Sequence, residues 1–109
     1  MKGITEPKTW TGPETSTSAR LLPPYNVILL DDDHHTYEYV IEMLQALFGH
    51  SVQTSFRMAL EVDTTGRVIV YTGPLEVAEL KRDQIHAYGR DLRHPQCAGS
   101  MSAVIDPAE

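Results

Sequence analysis

Three consecutive aspartates, Asp31, Asp32 and Asp33, close an apolar run that begins at Tyr25, and a fourth, Asp63, ends the apolar stripe of a helical segment further along. Ionised carboxylates only accept hydrogen bonds, so a group of them suits a cation with several N–H donors. Side chains alternate along an extended backbone, which turns Asp31 and Asp33 to one side and Asp32 to the other. Apolar helix faces lie alongside. The guest that fits both features is a cationic group carrying a hydrophobic side chain, as at the free start of a polypeptide. An empty cluster has a cost, because like charges repel and a carboxylate near a helix C-terminus is disfavoured by about 0.3 to 1 kcal/mol.

Other chemistries are poorly served. His34, His35, His50, His86 and His94 are scattered, Cys97 has no neighbouring histidine or metal-type spacing, and no serine motif marks a nucleophile. The chain is therefore expected not to be an enzyme and to need no cofactor. His35 is near enough to the aspartates to line a pocket, His94 reads as structural beside Pro95, and His34 and His50 read as solvated. A strand ending in aspartates also fits a magnesium-holding phosphoacceptor domain, but no later apolar run ends in the second aspartate that fold requires. An EF-hand loop would use Asp31, Asp33 and Glu42, yet His35 stands at an oxygen-ligand position and Thr36 where the turn needs glycine. A plainer alternative is an acidic cluster that caps the next helix and keeps a sheet edge soluble.

The elements that must position these residues follow from periodicity. Tyr25 to Asp31 reads as a strand buried on both faces, followed by a break at Asp32 to His35. Tyr37, Val40, Ile41, Leu44 and Phe48 then fall at helical spacing, with Gly49 as the stop. Ser51 can cap a second helix in which Val52, Phe56, Ala59 and Leu60 share a stripe that reaches Asp63 one turn later. Gly66 opens a strand at Arg67 to Tyr71. Pro74 and Glu76 begin a third helix, with Val77, Ala78, Ile85 and Tyr88 on its buried side. A last strand is expected within Ser100 to Asp106. The order βααβαβ predicts a small α+β domain, three helices packed on a short sheet of about three strands.

At 109 residues the chain suffices for one core. Residues 1–24, rich in Thr, Ser, Pro and Gly, read as a flexible N-terminal extension, with Trp10 an exposed tail residue, and residues 25–109 as the folded unit. A formal net charge of -6 disfavours nucleic acid and anionic membranes. The single cysteine and the absence of an apolar leader point to the cytoplasm. A monomer is expected.

Residues 25 to about 97 resemble the ClpS family, the adaptors that deliver proteins with destabilising N-terminal residues to a Clp ATPase and protease. The likeness rests on YNVILLDDD followed by EYVIEMLQ, on MALEVD before TTGR, on LEVAELK and on the His94-Pro95 pair, in order and without gaps. It implies amine binding by Asp31, Asp33 and Asp63, and a side-chain pocket of His35, Tyr37, Val40, Ala59 and Val62 with Gln96 at its rim. It implies docking of the third helix, through Glu76 and Lys81, on the N-terminal domain of a Clp AAA+ ATPase of ClpA or ClpC type. The chain departs from the family's pattern at the site itself: Asp31 replaces a usual asparagine, Asp63 a usual histidine, Tyr37 and Ala59 usual methionines, and Gln96 a common leucine. Bulky apolar first residues (Leu, Phe, Tyr, Trp) remain expected, with Ile or Val admissible in the reshaped pocket. The alternative is a divergent or metal-binding module, using Asp31, Asp33 and Asp63, that no longer recognises N-terminal residues.

From the alternation of the strand end, Asp33→Ala should weaken binding of a free-amine peptide more than Asp32→Ala. Equal losses by calorimetry would contradict that geometry.

Overall fold

The computed structural model describes residues 22–32, 34–90 and 99–108. Asp33, the segment holding His94, Gln96 and Cys97, and the extension up to residue 21 with Trp10 lie outside them. The elements are β1 (Tyr25–Leu30), α1 (Tyr37–Phe48), α2 (Val52–Thr65), β2 (Arg67–Gly73), α3 (Leu75–His86) and β3 (Ser102–Pro107). The domain is α+β in the expected βααβαβ order, three helices on one three-stranded antiparallel sheet.

β1 is the central strand, paired with β2 on one side and β3 on the other. That position explains its unbroken apolar run: Val27, Ile28 and Leu29 are all buried. Val27 and Leu29 join Val68, Val70, Met101 and Ala103 in the core under the helices. Ile28 sits in one cross-strand row with Ile69 and Val104, which are both partly exposed. Each fully buried aliphatic side chain stabilises the fold by about 1.5 to 3 kcal/mol. A register shift opposite Val27 and Ile28 leaves Val70 unmatched on β2, as a bulge does. The Val70 carbonyl is instead bonded by His50 Nε2 at 2.8 Å, and the His50 ring stacks on Phe48 at 5.5 Å. His50 is thus half-buried and structural, where the sequence suggested a solvated residue.

The helices start and stop where their caps dictate. Thr36 Oγ1 accepts from the Tyr39 N–H and Ser51 Oγ from the Thr54 N–H. Gly49 and Gly66 end α1 and α2 in the left-handed region, at φ 71° and 92°. Two helix faces differ from the sequence reading. α1 is packed from more than one side, so Tyr39 and Met43 are buried with Val40 and Leu44, and the Tyr39 hydroxyl donates to the Gly89 carbonyl at 2.5 Å. On α2 the buried face is Ser55, Ala59 and Val62, while Val52, Phe56 and Leu60 are exposed. Tyr88, expected on the buried side of α3, also lies at the surface, edge-on to Tyr39 at 5.6 Å.

Gly66→Ala should lower the free energy of unfolding by about 1 to 2 kcal/mol, the cost of a left-handed L-residue. Nothing lies within 4 Å of the added Cβ, so the loss reports on backbone alone. An unchanged urea midpoint would contradict the assigned conformation.

Candidate functional site

The end of β1 is tied directly to the end of α2. The Asp31 N–H donates to the Gly66 carbonyl at 3.0 Å, which joins the first residue beyond the strand to the αL cap of the helix. Asp31, half-buried, and Asp63, exposed, thereby come to one corner of the molecule from distant parts of the chain.

Asp32 turns the chain from β1 toward α1. Its Oδ1 accepts from the His34 N–H at 3.0 Å and from His35 Nδ1 at 2.8 Å, an arrangement in which an aspartate organises its own turn. His35 Nε2 bonds the Gly99 carbonyl at 2.7 Å, and the ring lies 4.5 Å from that of Tyr39. The His35 side chain is only 3 % exposed. The ring that the sequence suggested as pocket wall is held inside, between the acidic turn and the stretch before β3.

At the mouth between α1 and α2, the Tyr37 hydroxyl donates to Asp63 Oδ2 at 2.7 Å. The Tyr37 ring leans on Phe56 at 5.9 Å. The phenol is held above its ordinary pKa, first by this hydrogen bond, then by burial, and then by the charges of Asp63 and Asp31. Tyr37 and Asp63, 26 positions apart, are thus each other's partners. Below this mouth Val40, Ala59 and Val62 are buried in one continuous core. The structure thus brings Asp31, Tyr37, Val40, Ala59, Val62 and Asp63 to one end of the α1–α2 seam. Asp33 and Gln96 lie outside the described residues.

The α3 residues behave differently from one another. Glu76 is exposed, in the first turn of the helix. Lys81 is half-buried: its ammonium donates to the Leu47 carbonyl near the end of α1 and sits 5.4 Å from the Phe48 ring centroid. The resemblance gave this lysine only as a docking residue, and its place against α1 was not foreseen. The signal that could have found it is the missing cation in the last turn of α1, which leaves that helix end open to one from outside. Among the described residues no three His, Cys, Asp or Glu side chains gather as a metal site, and no helix is long and apolar enough to cross a membrane.

Three helices on a short antiparallel sheet, with an acidic corner at the end of an apolar helix pair, make a small α+β domain. The family model described as "ATP-dependent Clp protease adaptor protein ClpS" matches residues 21–97. The chain belongs to the ClpS family, adaptors of the ATP-dependent Clp protease. It is 36% identical over 93 residues to the ATP-dependent Clp protease adapter protein ClpS of Pectobacterium carotovorum subsp. carotovorum (strain PC1), covering 80% of this chain and 88% of that one. It is 38% identical over 77 residues to the protein of the same description from Salmonella arizonae, covering 69% and 73%. The structure of Agrobacterium tumefaciens ClpS2 bound to L-phenylalaninamide is similar with a TM-score of 0.67 and 26% identity, covering 79% of this chain and 98% of that one.

Tyr37 should titrate above the ordinary tyrosine value of about 10, and Asp63→Asn should bring it back toward that value. Because the neutral phenol is the favoured form, its contribution to stability is complete below the unfolded pKa and is lost as pH rises through the folded one. NMR of the tyrosine Cζ resonance reads both. An Asp63→Asn spectrum that titrates like the unsubstituted protein would sink the assignment.

Proposed function

We propose that this adaptor grips the free α-amino group and the bulky apolar first side chain of a protein substrate, and delivers that substrate to a Clp AAA+ ATPase of ClpA or ClpC type. It performs no chemistry of its own. The observation that carries this reading is the backbone bond from Asp31 to Gly66, which draws Asp31 beside the end of α2, where Asp63 accepts from the Tyr37 hydroxyl at the edge of the apolar α1–α2 seam. L-Phenylalaninamide, the molecule bound to the 26%-identical Agrobacterium protein, has a free α-amine beside a benzyl side chain, the same pairing of charge and apolar bulk.

In this reading Asp31, Asp33 and Asp63 accept from the ammonium. Asp63 has its Oδ1 available for the amine while Oδ2 holds the Tyr37 hydroxyl. His35 contributes by fixing the acidic turn from within. Tyr37, Val40, Ala59 and Val62 bound the first side chain, with Gln96 at the rim. Shortening at Ala59 makes room beside the larger, stiffer Tyr37 ring, so preference among apolar residues shifts in shape rather than in kind. Glu76 and Lys81 meet the N-terminal domain of the ATPase, and Leu80, exposed one turn after Glu76, supplies apolar area on that face. The adaptor works as a cytoplasmic monomer.

Charge dominates the amine contact, which sets its pH dependence. A free α-amino group has a pKa of about 7.7 to 8.0, and neighbouring carboxylates favour its charged form. Binding should therefore persist through neutral pH and fall as the free peptide's amine deprotonates above it. Calorimetry with a Leu- or Phe-first peptide should show binding that N-acetylation abolishes. Asp63→Asn should weaken it by about 10- to 100-fold, the loss of a hydrogen bond to a charged group. Equal binding of the acetylated peptide would rule the reading out, and heat evolved with calcium, magnesium or zinc instead would favour a metal module.

A further inference from the structure

α2 carries an apolar stripe that the core does not use. Val52, Phe56 and Leu60, at intervals of four, are 57, 47 and 44 % exposed, whereas α1 exposes no large apolar side chain and α3 only Leu80. The exposed Gln53, Arg57 and Glu61 run beside the stripe. An apolar row rimmed by polar residues marks a surface that something covers. Asp63 heads it: seven residues beyond Phe56 is nearly two full turns, so the carboxylate stands in line with the ring, about 10.5 Å further along the helix. Tyr37 joins the two, with its ring 5.9 Å from that of Phe56 and its hydroxyl on Asp63 Oδ2. The stripe is therefore continuous with the acidic mouth.

We propose that the chain of a bound substrate runs outward along this stripe in extended form and rests its third side chain on Phe56 and Leu60, so that the adaptor favours an apolar third residue. The inference rests on the functional reading above and deepens it. Side chains alternate along an extended chain, so the third leaves on the same side as the first. With the first directed at the α1–α2 seam, the third comes down on the surface beside it. The lengths agree. About 8 Å of extended chain separates the amine nitrogen from the third Cα, and a hydrogen bond of about 2.8 Å joins the amine to Asp63. Together these reach as far as Phe56 lies from Asp63. A second copy of this chain is a poorer occupant, because a formal net charge of -6 on each opposes their approach.

The test uses full-length protein and Leu-first peptides identical except for Leu or Ser at the third position, each with an N-acetylated control. The unsubstituted protein should bind the third-position Leu peptide about three- to tenfold more tightly, the range for half-burying one large aliphatic side chain. Phe56→Ser and Leu60→Ser should each bring that ratio toward one, and Ile69→Ser, which alters an equally exposed apolar residue on the sheet, should leave it in place. All three positions are at the surface, so melting temperatures should stay close to that of the unsubstituted protein. A ratio of one in the unsubstituted protein, a ratio that survives both α2 substitutions, or a gain from leucine at the second position instead of the third overturns the inference while the free-amine preference stands. Concentration-dependent sedimentation that Phe56→Ser abolishes would give the stripe to a second copy and overturn it likewise. Acetylated peptides binding as well as free ones would overturn the functional reading and this inference together.

Discussion

A single backbone hydrogen bond, from the Asp31 N–H to the Gly66 carbonyl, governs how this molecule can present charge. It is available because β1 ends there and because α2 ends in a left-handed glycine whose carbonyl is turned outward from the helix. β1 in turn is held on both edges by antiparallel neighbours, so its end has little freedom to wander. The corner where strand and helix meet thus inherits the rigidity of the sheet. Carboxylates that would drift apart on a loop are kept near one another.

The corner has its own means of tolerating that proximity. The phenol of Tyr37 donates to Asp63, which gives one crowded carboxylate a neutral donor. An aspartate near a helix C-terminus is disfavoured by the dipole, and a hydroxyl aimed at it offsets part of that cost. Inside the turn, Asp32 and His35 do comparable work by binding each other and the Gly99 carbonyl.

Much of this was legible in the chain before any coordinates. The order of elements, the strand buried on both faces, the stop at Gly49 and the cap at Ser51 followed from runs and punctuation that local physics decides. The faces of the helices were less legible. Val52, Phe56 and Leu60 form an apolar stripe as regular as a buried one, yet tertiary packing selected Ser55, Ala59 and Val62 instead. Hydrophobicity alone could not rank a stripe with a serine above one with a phenylalanine. Nor could it assign partners to polar atoms. The Tyr37–Asp63 bond, the His50 bond to a bulge carbonyl and the Lys81 ammonium on Leu47 each join residues 20 or more positions apart, where spacing carries no signal.

Lys81 serves two helices at once. Its ammonium completes the end of α1 and rests against Phe48, although its backbone belongs to α3. Any partner that recruits this charge must first take it from the Leu47 carbonyl, leaving the final turn of α1 without its cation. α1 also bears Tyr37 and Val40.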